Sequence, residues 1–82
     1  MLIEKYNLNK ATLDFMKELT KTIETSKVMT NKELIEMFNQ SRFYNPIVEN
    51  YYTTSRQKSI WFAIHRLSDC WKKLGRGRYQ RI

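Results

Sequence analysis

The fold is decided by the stretch Thr53–Ile82, TTSRQKSIWFAIHRLSDCWKKLGRGRYQRI. It joins an amphipathic helical pattern to a short basic segment around Gly75-Arg76-Gly77. Residues 51–82 hold eight Lys and Arg against Asp69 alone, whereas seven basic and seven acidic residues cancel in residues 1–50. The formal net charge of +7 therefore comes entirely from this end of the chain. Such one-sided charge predicts a polyanionic partner, and nucleic acid before any other.

The apolar residues of this stretch allow two structures. They recur at helical spacing and are Ile60, Ile64, Leu67, Trp71 and Leu74. In the first structure one helix continues to about Lys73, with Gly75 as its C-terminal cap. In the second the helix stops near Ser68-Asp69 and a β-hairpin follows, with its turn at Gly75-Arg76-Gly77. Spacing alone leaves both open.

Two further helices are predicted upstream. The first covers Lys10–Thr25 and follows Asn9, which has the side chain of an N-cap. The second covers Thr30–Asn39 and begins with a capping-box pattern, in which Thr30 and Glu33 satisfy each other's backbone N–H groups. Ser26–Met29 is predicted to be a connector between them. For residues 41–54 a short helix over 46–52, started by Asn45-Pro46, and an irregular loop both remain open.

Length and composition favour one small folded domain over residues 1–82. The chain is 41% hydrophobic and contains only two Gly and one Pro, which is unlike a disordered segment. A single cysteine, Cys70, makes neither an intrachain disulfide nor a metal cluster, so no metal and no cofactor are expected. No apolar run approaches the roughly 18 residues that a membrane span requires. We therefore expect a cytoplasmic protein with no membrane partner.

The helix after Thr54 has one side suited to the core and one suited to a partner. Projection at about 100° per residue places Ile60, Ala63, Ile64 and Leu67 on the core side. The opposite side carries Ser55, Lys58, Ser59, Phe62, His65 and Arg66. A helix fits the DNA major groove, where Lys, Arg and Ser contact phosphates or base edges and Phe62 would contact a thymine methyl group. Trp61, Trp71 and Tyr79 are expected in the core.

Three features follow one another in the chain: the capped helix Thr30–Asn39, a basic helix ending in His65-Arg66-Leu67, and the segment LGRGRYQRI. In this order they resemble a winged helix-turn-helix DNA-binding domain. The resemblance implies a mainly α fold of three to four helices with a small C-terminal β-hairpin wing. It also implies that the third helix lies in the major groove and that Arg76 at the wing tip contacts the adjacent backbone or minor groove. The DNA-binding residues would then be Ser55, Arg56, Lys58, Ser59, Phe62, His65, Arg66, Lys72, Lys73, Arg76, Arg78 and Arg81.

The sequence therefore predicts a small transcriptional regulator that binds double-stranded DNA, for which a homodimer would be a common arrangement. It contains no paired-carboxylate site, activated nucleophile or phosphate loop, so we do not expect an enzyme. Two alternatives stay open. One is a compact, virus-encoded factor that docks on an acidic host protein, and the other is an RNA-binding module. The aromatic residues available to a protein partner are Phe43, Tyr44, Tyr51 and Tyr52.

Overall fold

The structure, a computed structural model, describes residues 7–48 and 56–82. Within these ranges the chain forms three α-helices and three β-strands. The helices are α1 (Leu8–Thr22), α2 (Asn31–Asn39) and α3 (Arg56–Arg66). The strands are β1 (Val28–Thr30), β2 (Trp71–Gly75) and β3 (Arg78–Arg81). They form one antiparallel sheet in the order β1-β3-β2, so the last strand lies in the middle.

The first helix is displaced toward the N-terminus from its predicted position. The side chain of Asn7, not Asn9, caps α1 by accepting the backbone N–H of Lys10 at 3.1 Å. The helix ends at Thr22 instead of Thr25. Its buried side includes Phe15 and Met16, as expected of an amphipathic helix that packs on the core.

The capping box at the start of α2 is confirmed. The hydroxyl of Thr30 accepts the backbone N–H of Glu33 at 3.1 Å, and the Glu33 carboxylate accepts the backbone N–H of Thr30 at 3.0 Å. Hydrogen bonds from Thr30 lower the pKa of the Glu33 carboxyl below its ordinary value. The bond from the Thr30 backbone N–H has the larger effect, and the bond from the Thr30 hydroxyl has the smaller one. The two residues thus satisfy backbone donors that a helix start otherwise leaves free.

The C-terminal segment forms a hairpin, and the predicted continuous helix to Lys73 is wrong. Helix α3 ends at Arg66, and the carbonyl of Leu67 accepts the backbone N–H groups of Cys70 at 2.8 Å and Trp71 at 3.0 Å. The chain then reverses through Arg76 and Gly77, and Gly77 has a φ of 71°. A residue with a side chain is strained at that φ, so glycine is required at the second turn position.

Strand β1 occupies part of the segment predicted as a connector. Met29 pairs with Tyr79 of β3, and Val28 and Thr30 pair with the residues on either side of it. The backbone N–H of Asn31 donates to the carbonyl of Gly77 at 2.8 Å, which joins the start of α2 to the hairpin turn. The connector prediction for Ser26–Met29 is therefore wrong over its last two residues.

The core lies between the helices and the inner face of the sheet, and α3 packs mainly against α1. Its buried apolar residues are Leu8, Ala11, Phe15, Met16, Leu19, Met29, Leu34, Phe38, Val48, Ile60, Ala63, Ile64, Trp71 and Tyr79. Phe15 and Phe38 meet edge to face, with ring centroids 5.5 Å apart. The predicted core positions of Trp71 and Tyr79 are confirmed.

The prediction of three helices with a C-terminal hairpin is confirmed over the described residues, and strand β1 makes the sheet three-stranded, which is compatible with an α+β fold. Residues 40–55 separate α2 from α3. At Asn45 the side chain accepts the backbone N–H of Ile47 at 3.0 Å, but most of the predicted helix over 46–52 lies outside the described residues. Among the residues that the structure describes, no helix has the length and apolar character of a membrane span.

Candidate nucleic-acid interface

An open groove of about 560 Å³ lies between α3 and the hairpin. Lys58, Trp61 and Phe62 line it from α3, and Lys73 and Arg76 line it from the hairpin. We call this surface the helix–hairpin groove. It brings together cationic residues that are 15 to 18 positions apart in the chain, and it places two aromatic side chains beside them.

The exposed side of α3 follows from the burial of its opposite side. Ile60, Ala63 and Ile64 are buried, whereas Lys58, Phe62, His65 and Arg66 are exposed, in agreement with the helical projection. This alternation of buried and exposed residues at helical spacing is what an amphipathic helix on a core requires. The side of α3 that carries these four residues is therefore open to a partner.

Ser59 is the exception, and its predicted outward position is wrong. It is only 4% exposed, and its hydroxyl donates to the side-chain oxygen of Asn9 at 2.5 Å. Its carbonyl also accepts from the hydroxyl of Thr12 at 3.3 Å. Buried polar groups need hydrogen-bond partners, and those of Ser59 are both on α1. Ser59 therefore helps to hold α3 against α1.

Trp61 is the aromatic groove residue that sequence reasoning placed in the core, and Asn31 and Gln57 also line the groove without having been predicted for the site. Trp61 is 38% exposed, and Phe62 beside it is 50% exposed. The imidazole of His65 stacks nearly parallel to the indole ring, with centroids 5.5 Å apart and planes 10° apart. Trp61 lies three residues after Lys58 and four before His65, so its position in the helical projection was the signal that could have placed it outside.

The basic residues of the hairpin divide between the two faces of the sheet. Cross-strand partners share a face, and Lys73 pairs with buried Tyr79, so Lys73 lies on the face that meets the helices. Lys72 and Arg78 lie at the alternate positions and are exposed on the opposite face. Arg76 is exposed in the turn. The structure thus places Lys73 and Arg76 beside α3. Lys72 and Arg78 lie on the face of the sheet that points away from the helices.

Two predicted arginines bind within the protein. The Arg56 guanidinium donates to the side-chain oxygen of Asn39 at 2.7 Å, which joins α3 to α2. The Arg81 guanidinium donates to the carbonyls of Thr20 at 3.2 Å and Cys70 at 3.4 Å, and it is partly buried. Arg81 therefore has a structural role. Ser55, also predicted for the site, lies outside the described residues.

Arg66 borders a second opening, between α1 and α3. This cleft of about 480 Å³ is also lined by Lys10, Leu13 and Phe62. Lys10 forms an exposed ion pair with Asp14 at 2.9 Å. Phe62 borders this cleft as well as the helix–hairpin groove, so it lies between the two openings.

The aromatic surface predicted for a protein partner is only partly accessible. Tyr44 packs on Phe38 with ring centroids 6.3 Å apart, and both Phe43 and Tyr44 rest against the core. The guanidinium of Arg42 lies 4.4 Å from the centroid of the Phe43 ring. Tyr51 and Tyr52, the other two predicted residues, lie outside the described residues.

No family model matches the chain, and neither does any curated protein or solved structure in the comparisons.

Among residues 7–48 and 56–82, no group of three or more His, Cys, Asp and Glu is placed to hold a metal ion. The chemistry that the groove offers is therefore that of cationic side chains beside exposed aromatic rings. That combination suits a polyanion that also presents apolar surface.

Proposed function

We propose that this chain is a small DNA-binding protein, a transcriptional regulator of the winged helix-turn-helix type. In this proposal α3 lies in the major groove of double-stranded DNA, and the β2–β3 hairpin contacts the sugar–phosphate backbone. The observation that carries the proposal is the helix–hairpin groove, in which Lys58 of α3 faces the same opening as Lys73 and Arg76 of the hairpin.

The dimensions of α3 support this placement. Its 11 residues span about 16 Å at the rise of an α-helix, and a helix of ordinary diameter fits a major groove about 12 Å wide. Its core side is held by α1 and α2, so the opposite side is available to a groove. Three helices followed by a C-terminal hairpin are also the elements that the resemblance to a winged helix-turn-helix domain implies.

The charge of the groove supports a phosphate partner. Within the described parts of the chain, ion pairs join Lys10 to Asp14 and Arg42 to Glu18, and none involves Lys58, Lys73 or Arg76. These three cations thus stay available to neutralise phosphates, and each phosphate contact releases counterions from DNA. Residues 1–50 add little to this attraction, because their charges cancel.

The test is a fluorescence-anisotropy titration of the purified protein against a duplex of random sequence at low and at moderate salt. We expect micromolar or tighter binding that weakens steeply as salt rises, the signature of phosphate contacts. Absence of binding at low salt, despite the net charge of +7, would overturn the proposal. Tighter binding to double-stranded RNA than to DNA of the same sequence would redirect it to RNA.

A further inference from the structure

The helix–hairpin groove carries apolar surface that phosphate contacts do not explain. Phe62 is 50% exposed and Trp61 is 38% exposed, next to the cations Lys58, Lys73 and Arg76. Phosphates are bound by positive charge and by hydrogen-bond donors. The faces of these two rings provide neither, so phosphate binding does not explain their exposure. Large apolar residues grouped on an otherwise charged surface are typical of a contact site.

The position of the two rings limits what they can contact in a duplex. They lie on the exposed side of α3, where a helix in the major groove meets base edges and not base faces. The edges of G, C and A present hydrogen-bond donors and acceptors, which lose their water against an apolar ring and gain no partner. Thymine is different because its C5-methyl group is apolar and projects into the same groove.

We infer that Phe62 and Trp61 bind thymine methyl groups, so that the groove selects duplex DNA that carries C5-methylated pyrimidines. This inference rests on the proposed function and adds the class of base that the site prefers. Phe62 lines both the groove and the α1–α3 cleft and makes the central contact. Trp61 makes the second, and the His65 ring stacked on it limits its rotation. The same contacts disfavour RNA, since uracil lacks the methyl group.

Two matched pairs of duplexes test the inference at constant salt. The first pair is an alternating A·T duplex and the same duplex with uracil in place of thymine, which removes only the methyl groups. The second is an alternating G·C duplex without and with 5-methylcytosine, which adds a methyl group in the same groove. We expect uracil to weaken binding, and 5-methylcytosine to strengthen it, by roughly fourfold for each methyl group contacted.

Variants assign the effect to the two rings. In Trp61→Ala combined with Phe62→Ala, both affinity ratios should fall to one, because the surface that contacts the methyl groups is gone. Lys73→Ala is the matched control. It removes a phosphate contact and should weaken binding to all four duplexes by the same factor, so the ratios are kept. Near-ultraviolet circular dichroism of buried Trp71 checks that each variant is folded.

The outcomes separate the inference from the proposal beneath it. Equal affinity of the unmodified protein for the thymine and uracil duplexes would overturn the inference, while salt-dependent binding to both would still support DNA binding. Ratios that persist in the double variant would also overturn it, because the methyl groups would then be contacted elsewhere. Failure to bind any duplex at low salt would overturn both.

Discussion

The indole N–H of Trp71 donates a 2.8 Å hydrogen bond to the hydroxyl of Thr20, and both residues are buried. Trp71 is the first residue of β2, and Thr20 lies near the end of α1. The bond therefore joins the base of the hairpin to the helix on which α3 packs. Since α3 and the hairpin form the two sides of the helix–hairpin groove, this contact helps to fix the distance between them.

Replacing Thr20 by Val tests that contact. The variant keeps the shape of the side chain but leaves the buried indole N–H without its acceptor, which should lower the free energy of unfolding by about 1–3 kcal/mol. Urea denaturation measures the change. Thr20→Ser is the control, because it retains the hydroxyl that binds Trp71 and that donates to the Met16 carbonyl at 2.6 Å. A Val variant as stable as the unmodified protein would show that the bond contributes nothing.

Two features encoded within a few residues were predictable from the sequence, although the N-cap of α1 was placed at Asn9 instead of Asn7. Thr30 and Glu33 are three positions apart, and their capping box needs no other part of the chain. The core side of α3 was likewise predicted from the spacing of Ile60, Ala63 and Ile64. In both cases the signal and the structure lie in the same turn or two of helix.

Features that depend on distant partners were not predictable. Strand β1 is three residues long, and Met29 is its one buried residue, so it has no clear strand pattern in the sequence. The strand forms because Met29 pairs with Tyr79, which is far along the chain. Trp71 and Leu74 fit a helical stripe equally well, but Trp71 is buried while Leu74 is 44% exposed. That difference comes from the fold of the hairpin on α1. Trp61 was misplaced because a large aromatic residue is usually buried, and that expectation was given more weight than its helical spacing from Lys58 and His65.

Arg81 should contribute to stability and not to DNA binding. Arg81→Ala removes hydrogen bonds to the carbonyls of Thr20 and Cys70, and we expect a loss of about 1 kcal/mol in unfolding free energy. Arg78→Ala is the matched control, because Arg78 is exposed on the outer face of the sheet and its loss should leave stability unchanged. Thermal denaturation of both variants checks this. A destabilised Arg78 variant beside an unaffected Arg81 variant would reverse the assignment.

Tyr79 predicts a loss of stability at alkaline pH. Burial raises the pKa of its phenol above the ordinary 10.0, and a hydrogen bond from the Asn31 side chain opposes part of that shift. The unfolded chain therefore loses the proton at a lower pH than the folded chain does. The stabilising contribution is complete below about pH 10 and is lost as the pH rises through the raised folded value.

Urea denaturation of the unmodified protein and of Tyr79→Phe, at several values around and above pH 10, measures this effect. Phe keeps the ring but cannot ionise, so the variant should lose less stability over that interval. Since other groups titrate there in both proteins, the difference between the two curves isolates Tyr79. Parallel curves would show that the phenol ionises equally in the folded and unfolded states.

The salt dependence of DNA affinity tests the helix–hairpin groove most directly. Replacing Lys58, Lys73 and Arg76 together by Ala should lower the slope of log K against log salt by about 2.7, from ~0.9 for each phosphate contact on B-DNA. The control replaces Lys17, Lys21 and Lys27 by Ala. These lysines are exposed outside the groove, and their replacement removes the same amount of charge. We expect the control to keep its slope almost unchanged. Equal losses in the two triple variants would contradict the account, because the attraction would then depend on net charge and not on this groove.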